Sequence, residues 1–75
     1  MEIYKNLGGD SGIVSYEFIP DGIKVKFRDG WIYTYTYQST GQSNIEHMKR
    51  LAIAGRGLNS FISRVVRKNF ASKGR

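Results

Sequence analysis

The chain has no cysteine, one proline (Pro20), one tryptophan (Trp31) and one histidine (His47) in 75 residues. Each scarcity excludes something. Without cysteine there is no disulfide framework and no thiolate metal site. One histidine and six carboxylates scattered singly do not supply a metal-ligand cluster. Nucleophile-plus-base catalysis needs a histidine beside a hydroxyl and an orienting acid. His47 instead stands between Glu46 and Met48 on a predicted helix, as an exposed surface residue. No catalytic residue, metal or cofactor is expected. No apolar run reaches the roughly 18 residues of a spanning helix, so no membrane partner is expected. Met1–Asn6 lacks the basic-then-apolar layout of a signal peptide, and the expected location is the cytoplasm. A chain this short buries only about 60% of its unfolded surface, which leaves no room for a deep substrate cavity beside a core.

Acidic residues are also missing from one region. Residues 49–75 carry eight basic residues (Lys49, Arg50, Arg56, Arg64, Arg67, Lys68, Lys73, Arg75) and no acid, a net of +8. Residues 1–48 carry four basic residues and all six acids, a net of −2. The formal +6 of the chain therefore belongs to its C-terminal third. Such asymmetry points to a polyanionic partner, against the plainer role of a solvated basic face that keeps a small domain soluble.

The remaining composition, 40% hydrophobic and 24% charged, is that of a globular chain. Residues 1–12 read as a loosely ordered arm that ends in Gly8-Gly9-Asp10-Ser11-Gly12 and can add an edge element. Residues 13–70 read as a single domain. Three strands are predicted, Val14–Ile19, Ile23–Arg28 and Trp31–Tyr37, rich in β-branched and aromatic residues. Their connections are too short for crossovers, so the sheet is an antiparallel meander. A polar loop over 38–43 leads to Ser43-Asn44-Ile45-Glu46, which fits a capping box. The helix it opens should end at Gly55. A second helix is predicted over Leu58–Phe70, with Leu58, Phe61, Ile62, Val65, Val66 and Phe70 as its apolar stripe. Residues 71–75 read as a frayed basic tail. The expected fold is α+β: a three-stranded meander followed by two helices packed on one face.

Strand register decides what the aromatics are for. Trp31, Tyr33, Tyr35 and Tyr37 alternate with Ile32, Thr34 and Thr36 on the third strand. On the second strand Ile23, Val25 and Phe27 alternate with Lys24, Lys26 and Arg28. A two-residue Asp29-Gly30 loop would set the aromatics beside the basic stripe as an exposed stacking platform. A three-residue Arg28-Asp29-Gly30 loop, with Gly30 left-handed, pairs Phe27 with Trp31 and sets them in the core. The second is favoured, because it leaves one apolar face and one polar face. At the other hairpin, an Asp21-Gly22 loop would pair Phe18 with Val25 and Tyr16 with Phe27. That adds Val14, Tyr16 and Phe18 to the apolar face.

The order of residues from Ser11 to Phe70, about 60 of the 75, resembles the KTSC domain. This small module occurs at the C-terminus of some lysyl-tRNA synthetases and in stand-alone bacterial proteins. The matching features are Tyr16, the strand Ile23–Phe27, Phe27-Arg28-Asp29-Gly30, Tyr33-Thr34-Tyr35, and then Gly55, Leu58, Asn59 and Ile62. The chain departs from the pattern at Gln38-Ser39, Ile53 and Gly57-Leu58. The resemblance implies a small sheet-plus-helices domain and, as a suggestion for the family, RNA binding.

Gly55-Arg56-Gly57 reads as a tight turn between helices or as a small anion-binding nest. Asn59 reads as a helix N-cap or a partner to that turn. The leading expectation is a non-catalytic module contacting RNA or another polyanion through Arg56, Arg64, Arg67 and Lys68. Lys24, Lys26 and Arg28 form a second basic stripe on the open face of the sheet. The alternative is a protein–protein adaptor or homo-oligomeric domain, suggested by unpaired strand edges.

Overall fold

The structure, a computed structural model, describes residues 1–9 and 11–75. Asp10, within the glycine-rich break, lies outside the described residues. At the centre is the expected antiparallel meander of Ile13–Ile19 (β2), Gly22–Phe27 (β3) and Ile32–Thr36 (β4). It is not three-stranded. Glu2–Ile3 (β1) pairs with β2 and Ser72–Gly74 (β5) pairs with β4, giving five antiparallel strands in sequence order. The arm and the basic tail thus supply the two edges. Each satisfies backbone groups that the meander alone would leave open.

The β3–β4 register is the expected one. Val25 lies opposite Tyr33 and Ile23 opposite Tyr35. The Phe27 N–H donates to the Trp31 carbonyl at 2.9 Å, and the Gly30 N–H closes the turn onto the Phe27 carbonyl at 3.0 Å. Gly30 has φ +89°, a conformation that favours glycine. The β2–β3 register differs from expectation. The loop residues are Pro20-Asp21, and Phe18 opposes Ile23 while Tyr16 opposes Val25. A slip of two residues keeps every side chain on its face, so alternation alone could not detect it. A bulge at Val14 then breaks the alternation between Ile13 and Ser15. Ile13 enters the core, whereas Val14 and Phe18, expected there, are exposed.

The loop expected over 38–43 is replaced by a single helical turn, Tyr37–Thr40 (α1). Its capping box is Thr36 with Ser39, the Thr36 hydroxyl accepting from the Ser39 N–H at 3.1 Å. The main helix, Gln42–Ala54 (α2), starts before Ser43, and Gly41 stands at its N-cap without a side-chain bond. The predicted Ser43–Glu46 box does not form, because Ser43 is already inside the helix. The C-terminal end is as expected, with Gly55 left-handed at φ +77°. A side chain there would also meet the arm, since a Cβ on Gly55 would lie 2.7 Å from Lys5 Cβ.

Leu58–Phe61 (α3) runs into a π-helical stretch, Ile62–Val66, that ends sooner than the predicted helix. The Arg67 N–H bonds to the Ile62 carbonyl, five residues back, at 2.6 Å. This under-winding brings Leu58, Ile62 and Val66, spaced by four, onto one buried line. Val65 is turned to solvent instead. Arg67 then adopts φ +47°, a strained value for a non-glycine residue, and redirects the chain. Phe70 still packs against the core, but from outside the helix.

The core joins Ile13, Ile23, Val25 and Tyr35 of the sheet to Ile45, Met48 and Ala52 of α2 and to Leu58, Ile62 and Val66. The helices therefore cover one face of the sheet, as expected. Tyr4 joins from the arm, its hydroxyl accepting from the Leu58 N–H at 3.3 Å. Among the described residues no helix is long and apolar enough to cross a membrane.

Candidate functional site

Arg56, Arg64, Arg67 and Lys68 are all exposed. They do not form one patch. Arg67 and Lys68 lie on the rim of an open groove of about 510 Å³ at the Phe27–Tyr33 end of the helix-covered face. Arg64 sits on the π-helical stretch beside it and is not part of the lining. Arg56 lines a smaller hollow of about 180 Å³, with Tyr4, Asn6 and Gly57, on the far side of Asn59. Asn59 borders both hollows. It is not the expected N-cap, because Gly57 holds that position and α3 has no side-chain cap.

The floor of the groove is aromatic. Phe27 stands edge-on to Tyr33 at 5.4 Å, and Phe70 stands edge-on to Tyr33 at 5.0 Å. Tyr33 and Tyr35 lie nearly parallel at 6.5 Å. The wall is Ile62, Ser63 and Asn59. Neither of the two roles weighed for the tyrosines is complete. Tyr35 is core at 1% exposure, whereas Tyr33 is only half-buried and borders open space. Burial, and then the neighbouring Tyr33, pushes the Tyr35 phenol up to about 12, so it stays protonated near neutrality.

A third rim cation comes from the tail expected to be frayed, which forms a strand instead. β5 sets Lys73 opposite Tyr33, so both side chains share one face. The Lys73 ammonium lies 5.3 Å from the Trp31 ring centre and 5.9 Å from those of Tyr33 and Phe70. The Arg75 guanidinium lies 4.6 Å over Trp31. The signal for this was the alternation Lys73-Gly74-Arg75, which is too short and too glycine-rich to read as a strand. Asp29 is the carboxylate of the groove, and it accepts the Trp31 N–H at 3.0 Å. Among the described residues the one ion pair is Lys49 with Glu46, at 3.9 Å. Arg67, Lys68 and Lys73 therefore carry charge without a carboxylate partner there.

The other basic stripe faces away. Lys24 opposes Thr34 and Lys26 opposes Ile32, on the side of the sheet that the helices leave uncovered. Glu17 stands directly across from Lys24, which offsets part of its charge. Arg28 is exposed at the turn. His47 is exposed, as expected, and stacks on Phe61 with ring centres 4.5 Å apart. No three His, Asp or Glu side chains gather among the described residues.

Of the remaining motif residues, Tyr16 is half-buried opposite Val25 and packs against the core. Ile62 is buried, and Gly30 and Gly55 hold turn geometry. Compared with family models, curated proteins and solved structures, the chain matches none.

Proposed function

We propose that the protein is a small, non-catalytic binding module of the KTSC type that contacts RNA or another polyanion through its C-terminal basic segment. The observation that carries this reading is the convergence of Arg67, Lys68 and Lys73 on one groove without a carboxylate partner among the described residues. Three or so phosphate contacts give affinity that falls steeply with salt and carries little sequence choice. Arg64 is exposed on the adjoining π-helical stretch, outside the groove lining.

The test is a titration with single-stranded RNA, duplex RNA and DNA at two salt concentrations. Binding should appear at low salt, weaken on raising it, and be lost in the Arg64→Glu, Arg67→Glu double variant. Silence at low salt, or binding untouched by that variant, rejects the proposal.

A second reading has its own observation. Met1, Ile3, Leu7, Val14 and Phe18 are exposed on and near β1 and β2, with Ile3 at 79%. A dispersed apolar edge of this kind suits a protein partner or a second copy of the chain. Sedimentation at several concentrations separates the two, since a stable dimer that survives charge reversal of Arg64 and Arg67 favours the apolar edge.

A further inference from the structure

We propose that the groove is a pocket for one unstacked nucleotide, its base on the aromatic floor and its phosphate on the rim. This rests on the polyanion reading above and names the ligand chemistry of that same site: a planar ring carrying an adjacent phosphate. Three observations point there.

The first is shape and surface. The groove has a volume of about 510 Å³, within the range of small-molecule sites. A polyanion recognised by charge alone needs only cations on a convex surface. Here one cation, Lys73, stands over Tyr33 and Phe70, which are ring surfaces of the kind that holds bases.

The second is the Lys73 ammonium. It lies over the rings of Trp31, Tyr33 and Phe70 and reaches no carboxylate among the described residues. A flexible cation over π faces holds the place of a planar ligand. When a base enters, the ammonium swings to the rim and meets the phosphate beside Arg67 and Lys68.

The third is the Tyr35 hydroxyl. The residue is 1% exposed, and it lines the groove. No buried side-chain oxygen or nitrogen among the described residues is left without a partner, so the hydroxyl is not an orphan sealed in the core. A buried phenol that opens only onto a groove is available to a ligand's polar edge. Asn59 supplies an amide on the wall beside it.

The experiment titrates wild-type protein at low salt with a short single-stranded RNA, its duplex, uridine monophosphate and linear polyphosphate, followed by ring and amide NMR. Single-stranded RNA should move the Tyr33, Tyr35 and Phe70 ring signals. Polyphosphate should move only the signals of Arg67, Lys68 and Lys73. Phe70→Leu keeps an apolar side chain but removes the ring. It should weaken single-stranded RNA about ten-fold and leave polyphosphate unchanged. Tyr35→Phe should weaken the RNA by about three- to ten-fold and likewise spare polyphosphate. Uridine monophosphate that moves the same rings as tightly as RNA assigns the nucleotide to the free pool, and weaker binding assigns it to a strand. Both results support the pocket. Duplex bound as tightly as single strand with silent rings overturns it, as does wild-type RNA affinity in both variants. In those cases the polyanion reading survives, whereas silence with every probe removes both.

Discussion

The two ends of β4 carry the same ingredients, tyrosine, phenylalanine and lysine, in opposite states. Beyond Thr36, the Tyr37 hydroxyl donates to Glu46 Oε2 at 2.8 Å, and Lys49 lies 3.9 Å from that oxygen. The Lys49 ammonium is also 5.5 Å from the Phe18 ring and 5.7 Å from that of Tyr37. Its charge and the phenol are both satisfied within the fold. Towards the other end, Lys73 lies over Trp31, Tyr33 and Phe70 and pairs with no carboxylate among the described residues. The two tyrosines even resist ionisation for different reasons. Tyr37 is raised mainly by its hydrogen bond to Glu46, and Tyr35 mainly by burial. A cation over aromatic rings is thus backed by an ion pair at one end and by none at the other, among the described residues. The difference lies in what the carboxylate does: Glu46 reaches Lys49, whereas Asp29 accepts the Trp31 N–H and pairs with no cation among the described residues.

The largest effect destroys both ends together. Gly22 opposes Thr36 where β3 meets β4, and a Cβ on it would lie 1.9 Å from the Tyr35 carbonyl oxygen. Gly22→Ala must therefore separate the two strands. A domain of this size holds only about 5 kcal/mol, so the variant should be largely unfolded by circular dichroism at room temperature.

Next comes charge reversal at one end against the other. Arg67→Glu with Lys68→Glu should abolish RNA binding at low salt, whereas Lys49→Glu with Arg50→Glu should leave most of it. The milder Arg67→Ala and Lys68→Ala changes should each flatten the salt dependence by about 1 in log–log slope. Equal losses at both ends would mean that net charge alone governs binding.

Alkaline titration sharpens the contrast between the tyrosines. The folded pKa of Tyr35, about 12, lies above the unfolded value near 10. Its contribution to stability is therefore complete below pH 10 and lost as pH rises through 12. Denaturant midpoints should fall across that window in the wild type and less in Tyr35→Phe. The smallest effect belongs to the satisfied end. Glu46→Gln loses a half-buried ion pair and weakens one hydrogen bond, and should cost about 1 kcal/mol in urea unfolding, with no change in RNA binding.

Sequence reading reached the faces of the sheet but not its edges. Asp29-Gly30 and the alternation of Ile23–Phe27 with Trp31–Tyr37 determine which residues meet, and the β3–β4 register follows them. Around Pro20-Asp21-Gly22 two turns fit the same alternation, so the β2–β3 register was ambiguous by two residues. Two capping patterns competed likewise. Ser43–Glu46 matched the sequence rule, yet Thr36 with Ser39 formed the box, because the helical turn begins where β4 ends. Of the groove lining, Arg67 and Lys68 stand out by charge, whereas Tyr33 and Tyr35 are expected in the core. Phe70 was placed in the right apolar set but on the wrong element, since under-winding after Phe61 has no signature in hydrophobic periodicity. The strand that fixes Lys73 is not legible, because Ser72, Lys73 and Gly74 have little strand preference of their own. Their pairing comes from the open edge of β4.

That same short strand gives the groove a local stability of its own. β5 is an exposed edge of three residues, joined to β4 across 38 positions of chain from Thr34 to Ser72. Its backbone bonds can open without disturbing the β2–β3–β4 core, at a fraction of the free energy of global unfolding. In hydrogen exchange the amides of Ser72–Gly74 will be among the fastest of any strand, and those of β3 among the slowest. A ligand that holds Lys73 will slow the first set and leave the second unchanged.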